Sequence, residues 1–401
     1  MFRISPDDSW TLIALIVAGT AGAIFLERRY AWGAKLSAPV IALLIAMVLS
    51  NTGVMPAEAP VYEFVGNWLV PLALPLLMLK ANLILIARKT GRLLIAFNIA
   101  SLGTIIGAVL AFGLLKDRIP EPAKAAGIMT ASYIGGMVNF VAVSSSTDAS
   151  GSMTSSLIVA DNIIMAGLFL VLFWMVASAF FRRHFRVQYA ESHTAPLPGE
   201  RQPDAPQGPV LDVLDLSISI AVAVGIAAIA MALQRYLAAE LKPQDADVWK
   251  KLATNKYVLI TAVSLTVATL FPRFLERLQS AEPVGTFLLY LFLFMVGLPA
   301  NVRTMFLPGD EGMVMYYLFA FCFIMAAANL IVVVVLGKVF RLSLEDIVLA
   351  SNASVGGPPT AAAMAISKGW SRLVLPGLLA GLYGYAVGTP LGLLVTSWLS
   401  K

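Results

Sequence analysis

The sequence predicts an all-α polytopic membrane protein of two inverted repeats, each about five transmembrane helices plus a Gly-Gly re-entrant or broken helix. Three observations carry this expectation. Hydrophobic residues fill 59% of the 401 positions and charged ones only 13%, about half the share of a soluble domain. Long apolar runs recur along the whole chain, which rules out a soluble core with one anchor. Finally, Ser132-Tyr133-Ile134-Gly135-Gly136-Met137-Val138-Asn139 and Ala353-Ser354-Val355-Gly356-Gly357-Pro358-Pro359-Thr360 look like one element used twice.

The apolar segments fall near residues 10–26, 36–52, 67–87, 92–115, 124–147 and 154–180, then near 212–237, 257–272, 284–303, 313–337, 345–367 and 372–398. Between the two sets, Pro196, Pro198, Pro203, Pro206 and Pro209 sit among charged and small residues, the composition of an extended, solvated linker. The chain divides accordingly into a first repeat at 1–183, a cytoplasmic Pro-rich linker at 184–211 and a second repeat at 212–401. Gly135 and Gly356 stand 221 positions apart (356 − 135), as do Gly91 and Gly312, and Lys35 and Lys256. Leu79-Lys80-Ala81-Asn82-Leu83 resembles Leu298-Pro299-Ala300-Asn301-Val302 at an offset of 219 (301 − 82). Four nearly equal offsets point to an internal duplication.

Charge sets the orientation. If all six segments of each half crossed, Arg182, Arg183 and Arg186 would lie opposite Arg28, Arg29, Arg88 and Lys89, against the positive-inside rule. Letting 124–147 and 345–367 enter and return on one side gathers these residues with Lys338, Arg341, Lys368 and Arg372 in the cytoplasm. Two helical arms of about 10 residues reach roughly 15 Å, the bilayer midplane. One hairpin then dips in from each side. Lys116, Arg118, Lys124, Lys242, Lys250 and Lys251 fall outside, beside acidic neighbours. The first apolar run continues into Glu27-Arg28-Arg29 without a small-residue cleavage site, which argues against a cleaved signal.

Other function classes recede. The net charge of +5 comes from short loops that set topology, so no nucleic-acid partner is implied. The single Cys322, in an apolar run, excludes a disulfide framework or a cysteine metal site. His184 and His193 do not make a metal centre, and no phosphate loop, zinc-protease helix or nucleophile elbow occurs in a credible context. The chain is not expected to be an enzyme.

A helix broken by glycine or proline frees backbone groups that cannot face lipid, so they line a protein-enclosed or watery cavity. Gly135, Gly136, Gly356 and Gly357 are thus expected to offer carbonyls to a cation and N–H groups to an anion, aided by half-helix dipoles. Ser132, Asn139, Ser351, Asn352 and Thr360 beside them are neutral oxygen donors of the kind a Na+ site uses. The competing role for such small residues is close helix packing. Asp161, followed by Asn162, sits about two turns into the next apolar helix. An ionised carboxylate there costs on the order of 2.5–3.5 kcal/mol, so it needs a partner or a job, Na+ ligation or proton binding, unless it caps near the interface. A Na+ site would draw on Asn139, Asp161 and Thr360. Position 382 holds Leu382, so the acid is not duplicated and the site is asymmetric. Asn82 and Asn301 are duplicated intramembrane asparagines, ligands or ordinary interhelical hydrogen bonders. Trp10, Trp32, Trp68 and Trp398 flank segments as an interfacial belt.

Taken together, Ser132 to Asn139, Ala160-Asp161-Asn162 and Ser351 to Thr360 resemble the bacterial and plant membrane-protein family called domain-of-unknown-function 819, over nearly the whole chain. That family is similar to a group holding sodium/glutamate, 2-hydroxycarboxylate and bile-acid sodium symporters and sodium/proton antiporters. The resemblance implies a dimer-forming scaffold, segments one and two of each half, and a moving core around crossed broken elements. It also implies that Gly135, Gly136, Gly356 and Gly357 contact substrate and ion. Asp161-Asn162 matches the antiporter pattern only in reversed order, and a second membrane acid is missing.

The expected function is secondary active transport in a bacterial inner membrane with both termini outside. The first form is Na+-coupled symport of a small organic anion or amino acid by an elevator motion, with Na+ or H+ in place of any cofactor. Its partners would be that solute, the coupling cation, membrane lipid and a second copy of the chain. The alternatives are cation/proton antiport through Asp161 and a non-transporting sensor or assembly partner. Single cysteines at Ser150 and Ser192, in a Cys322→Ala background, should label from opposite sides with an impermeant maleimide. Labelling of both from one side removes the inverted arrangement.

Overall fold

The computed structural model describes residues 4–36, 38–188, 212–241, 248–299 and 310–401. Among these the chain is helical, apart from loops and an isolated bridge between Arg186 and Ser343. The principal helices of the first half are α1 (Ser9–Arg29), α2 (Ala38–Asn51), α3 (Pro60–Met78), α4 (Arg92–Leu115), α5 (Pro122–Ser146) and α6 (Gly151–Ala177). Those of the second half are α7 (Val213–Leu241), α8 (Lys256–Leu270), α9 (Ala281–Gly297), α10 (Asp310–Val339), α11 (Leu344–Ser367) and α12 (Ser371–Leu399). The all-α, polytopic reading therefore stands. The Glu191–Pro209 stretch and Asn301 lie outside the described residues.

One segment departs from its sequence reading. The run expected at 67–87 starts at Pro60, whose fixed φ suits a helix start, with Val61 and Tyr62 buried behind it. It unwinds after Met78, and Asn82 Oδ1 accepts from the Ile84 (3.0 Å) and Leu85 (3.1 Å) N–H groups to begin a new helix, Leu83–Lys89. A side-chain cap satisfies donors that have no carbonyl one turn earlier.

Six helices form a scaffold in two clusters. Leu12, Ile41 and Phe294 join α1, α2 and α9, while Leu76, Ala223 and Ala268 join α3, α7 and α8. The first two segments of each half thus pack on the third segment of the other half. The remaining six, α4, α5, α6, α10, α11 and α12, share one large core, which also takes in Leu43 of α2, Leu74 of α3, Tyr257 of α8 and Phe292 of α9.

Within that core, α5 and α11 are hairpins. A straight helix of α5's 25 residues would span about 37 Å. Instead Lys124 Nζ donates to Asp148 O at 2.9 Å, and Ser150 N donates to Glu121 Oε1 at 3.2 Å. Its two ends lie together. Length and hydropathy alone would pass this helix as a membrane crossing. In α11, Asn352 Nδ2 reaches Met364 Sδ at 3.2 Å, which twelve residues of straight helix would forbid. Burial by itself would raise the Glu121 carboxyl, but the bonds from Lys124 and Ser150 outweigh it and hold the group below its ordinary value.

The last helix is the ruler on which both hairpins are laid. Gly377 faces Leu349 and Ala361 of α11, Gly381 faces Pro358 at its tip, and Gly384 faces Ile134 and Gly135 at the tip of α5. Further along, Gly388 meets Ala131 and Asn139, and Gly392 meets Gly127 and Val143. The hairpins therefore enter from opposite ends and meet tip to tip at mid-helix. At the α11 end, Leu344 N donates to Arg186 O at 2.9 Å, Lys338 lies over Phe185, and Arg92 faces Asp346. Several basic residues assigned above to one side do share one end of the molecule.

Gly136 (φ 68°, ψ −172°) and Gly357 (φ 81°, ψ −172°) hold a backbone conformation nearly confined to glycine. Alanine at either should cost about 1–3 kcal/mol through strain, since each has room for a methyl. Gly384→Ala should cost a similar amount by driving a Cβ into the Ile134 carbonyl. Gly113→Ala, which meets nothing within 4 Å, should leave the melting point of the detergent-solubilised protein unchanged or slightly higher.

Candidate functional site

The two glycine breaks touch. A Cβ on Gly136 would sit 3.9 Å from the Cα of Gly357 and 3.9 Å from Cε1 of Tyr385, and one on Gly357 would sit 4.0 Å from the same ring carbon. Each break is capped from its own chain. Asn139 Nδ2 donates to Gly135 O at 2.8 Å, and Thr360 Oγ1 donates to Gly357 O at 3.0 Å. Asn139 and Thr360 stand 221 positions apart (360 − 139), though the carbonyls they cap stand 222 apart (357 − 135). Asn139 also ties the tip to α12: its Oδ1 accepts from the N (3.0 Å) and Oγ1 (2.6 Å) of Thr389. Its amide is committed at both ends.

Asp161 forms a separate group. It is buried on α6, where Ser132 Oγ donates to its Oδ2 at 3.1 Å, and the Tyr133 hydroxyl and Cys322 thiol are its electrostatic neighbours. Asp161 Oδ1 and the Tyr133 hydroxyl have no hydrogen-bond partner among the described residues. A buried carboxylate left with one unsatisfied oxygen is poised to take a proton or a small cation. Among the described residues Asp161 bonds to Ser132, while Asn139 and Thr360, the other two residues of the expected Na+ site, bond to carbonyls at the hairpin breaks. Asn162 is half-buried and donates to Ile158 O at 2.8 Å, along its own helix.

Ser351 reveals a residue that sequence reasoning missed. Its Oγ donates to Asn329 Oδ1 at 2.8 Å. Asn329 Nδ2 lies 3.0 Å from Ala100 O and 2.9 Å from both Thr104 Oγ1 and Ser354 Oγ, and Ser354 Oγ donates to Tyr133 O at 2.9 Å. One fully buried amide thus bolts α4, α10 and both hairpins together. A lone Asn in the apolar run 313–337 was the available signal. Asn352, also buried, keeps its Oδ1 without a partner among the described residues.

An open cavity of about 940 Å³ separates core from scaffold at the α5 end. Ser144, Asp148 and Thr154 line it from the core, and Glu58, Glu63, Lys256 and Phe292 from the scaffold. Thr154 lies seven residues before Asp161 on α6, so the carboxylate sits about 10 Å deeper. Ser155 Oγ, beside Thr154, donates to Val296 O of α9 and bridges the two bodies. Asn82, in contrast, serves as the helix cap described above, next to Lys80, whose Nζ lies 3.4 Å from Glu282 Oε2.

Comparison with known proteins agrees in class. The uncharacterized membrane protein YjcL of Bacillus subtilis (strain 168) is 39% identical over 399 residues, covering 99% of this chain and 98% of its own. A family model described as a protein of unknown function (DUF819) matches residues 14–401. The chain belongs to the DUF819 family of membrane proteins.

Proposed function

We propose that this protein is a secondary active transporter in which the six-helix core carries a small solute and a coupling cation past the scaffold. The observation that carries this reading is the tip-to-tip meeting of two broken hairpins entering from opposite ends. Half-helix termini and unwound backbone converge there, as they do where transporters bind charged solutes at mid-membrane. Positions 221 apart also face one another at the centre: Gly136 with Gly357, Ser354 with Tyr133, and Gly107 with Ala328. An approximate two-fold relation between inverted halves would produce that pattern. The cavity at the α5 end supports a conformation open on one side, outward if the charge reading of topology holds.

Symport of a small organic anion or amino acid with Na+ remains the first form of the proposal. Ligand-induced thermal stabilisation of the purified protein tests it, using a panel of organic anions and amino acids in Na+ or K+. A substrate at about 100 times its Kd should add about 2.7 kcal/mol of stability, and only with Na+ present. No Na+-dependent shift with any compound would overturn symport.

Cation/proton antiport is the second reading, favoured by the unpartnered oxygen of Asp161. In inverted vesicles, adding Na+, K+ or Li+ should then collapse a pH gradient reported by a dye. Asp161→Asn should abolish the response without lowering the melting point, because the amide keeps the bond from Ser132. Full activity in that variant would take Asp161 off the proton path.

A further inference from the structure

A second, apolar groove of about 460 Å³ runs between α3 and α7 on the scaffold, and it shares Asn67 and Lys256 with the large cavity. Its walls are Trp68, Leu72, Val224, Ala228 and Met231. The small Ala228 lets the surface dip there. From Val224 to Met231 the groove follows about 10 Å of helix. α7 is one of the least buried spans, and Trp68 and Val224 are exposed at the groove edges, so the groove opens to the hydrocarbon. At its head stands Lys256, half-buried, with its ammonium 5.0 Å from the Tyr257 ring and in no salt bridge among the described residues. An apolar channel that ends in a cation held by no salt bridge among the described residues, beside the exposed Trp68, matches the chemistry of a lipid with an anionic head.

We propose that this groove binds one acyl chain of a membrane phospholipid, whose phosphate pairs with Lys256. The site has a consequence for the neighbouring cavity. Among the described residues Lys256 is its one lining cation, against Glu58, Glu63 and Asp148. A phosphate in the groove draws the ammonium away from those carboxylates, and the cavity mouth becomes more acidic. Lipid occupancy thus tunes which solute charge the mouth admits. The lipid site itself does not depend on the transport reading.

The test uses the full chain in detergent, depleted of lipid, with dioleoylphosphatidylglycerol against dioleoylglycerol, which has the same chains and no phosphate. Native mass spectrometry counts bound lipid, and tryptophan fluorescence follows melting. The phospholipid should bind and raise the melting point, while the diacylglycerol should do neither. Lys256→Gln should weaken phospholipid binding about fivefold, the weight of one basic residue at an anionic head. Ala228→Phe should block the groove with Lys256 intact and weaken binding at least as much. Lys401→Gln, in a different cavity, should leave phospholipid binding unchanged. Equal binding of both lipids, or equal phospholipid binding by wild type, Lys256→Gln and Ala228→Phe, overturns the proposal.

Discussion

Backbone-to-backbone approach along one face of α12 is the constraint on which the core depends. Gly377, Gly381, Gly384, Gly388 and Gly392 recur at steps of three or four, so they form a single stripe. A Cβ at Gly381, Gly384 or Gly392 would come within 2.6 Å of a hairpin backbone atom, so the hairpin would have to shift. Because the stripe is continuous, it accepts both hairpins end to end and fixes where their tips meet. In a membrane, where burial of apolar surface supplies little drive between helices, such close contact is the main source of cohesion.

Breaking two helices at that meeting point frees backbone groups in a dry environment. The protein answers with side chains of the same strand of chain: Asn139 for the first break, Thr360 for the second. The asymmetry between them carries meaning. Asn139 goes on to grip Thr389, whereas Thr360 stops at its own hairpin beside Phe169, after two prolines that donate no hydrogen bond. The first tip is anchored to α12 by polar bonds and the second by packing of Pro358 on Gly381. Asn329 then clamps both from the far side, so hairpins that enter from opposite ends form one body.

The scaffold follows a different logic. Its helices α1 and α7 expose most of their apolar surface, and α2, α8 and α9 are short. Cohesion there comes from each half lending its third segment to the other, with Gly285 seated between Leu76 and Leu77. Polar ties between scaffold and core are sparse: Ser155 to Val296 and Ser146 to Asn255 are among them. The rest of that boundary is apolar packing, with Leu43, Leu74, Tyr257 and Phe292 of the scaffold joined to the large core, and it is open at one end to a cavity.

By itself the sequence determined the membrane class, the apolar segments and the paired glycine breaks, because these are local properties of composition and spacing. Charge placement pointed to a segment at 124–147 that returns to the side it enters, and the contact between Lys124 and Asp148 shows that segment folded back on itself. Partnership was not legible. Asn139 and Thr360 stand out in the sequence as candidate ion ligands, but that each also caps a carbonyl of its own hairpin is visible only in the structure. Asn82 read as either a ligand or an interhelical hydrogen bonder, and its Oδ1 serves as a helix cap. Asn329 passed unnoticed inside an apolar run, since its partners come from residues 100, 104, 351 and 354. Which polar groups are spent on holding the fold, and which, like Asp161 Oδ1, are left without a hydrogen-bond partner among the described residues, is decided only when distant segments meet. That is a property of the tertiary structure, because a hydrogen bond satisfied from another helix leaves no trace in the local sequence.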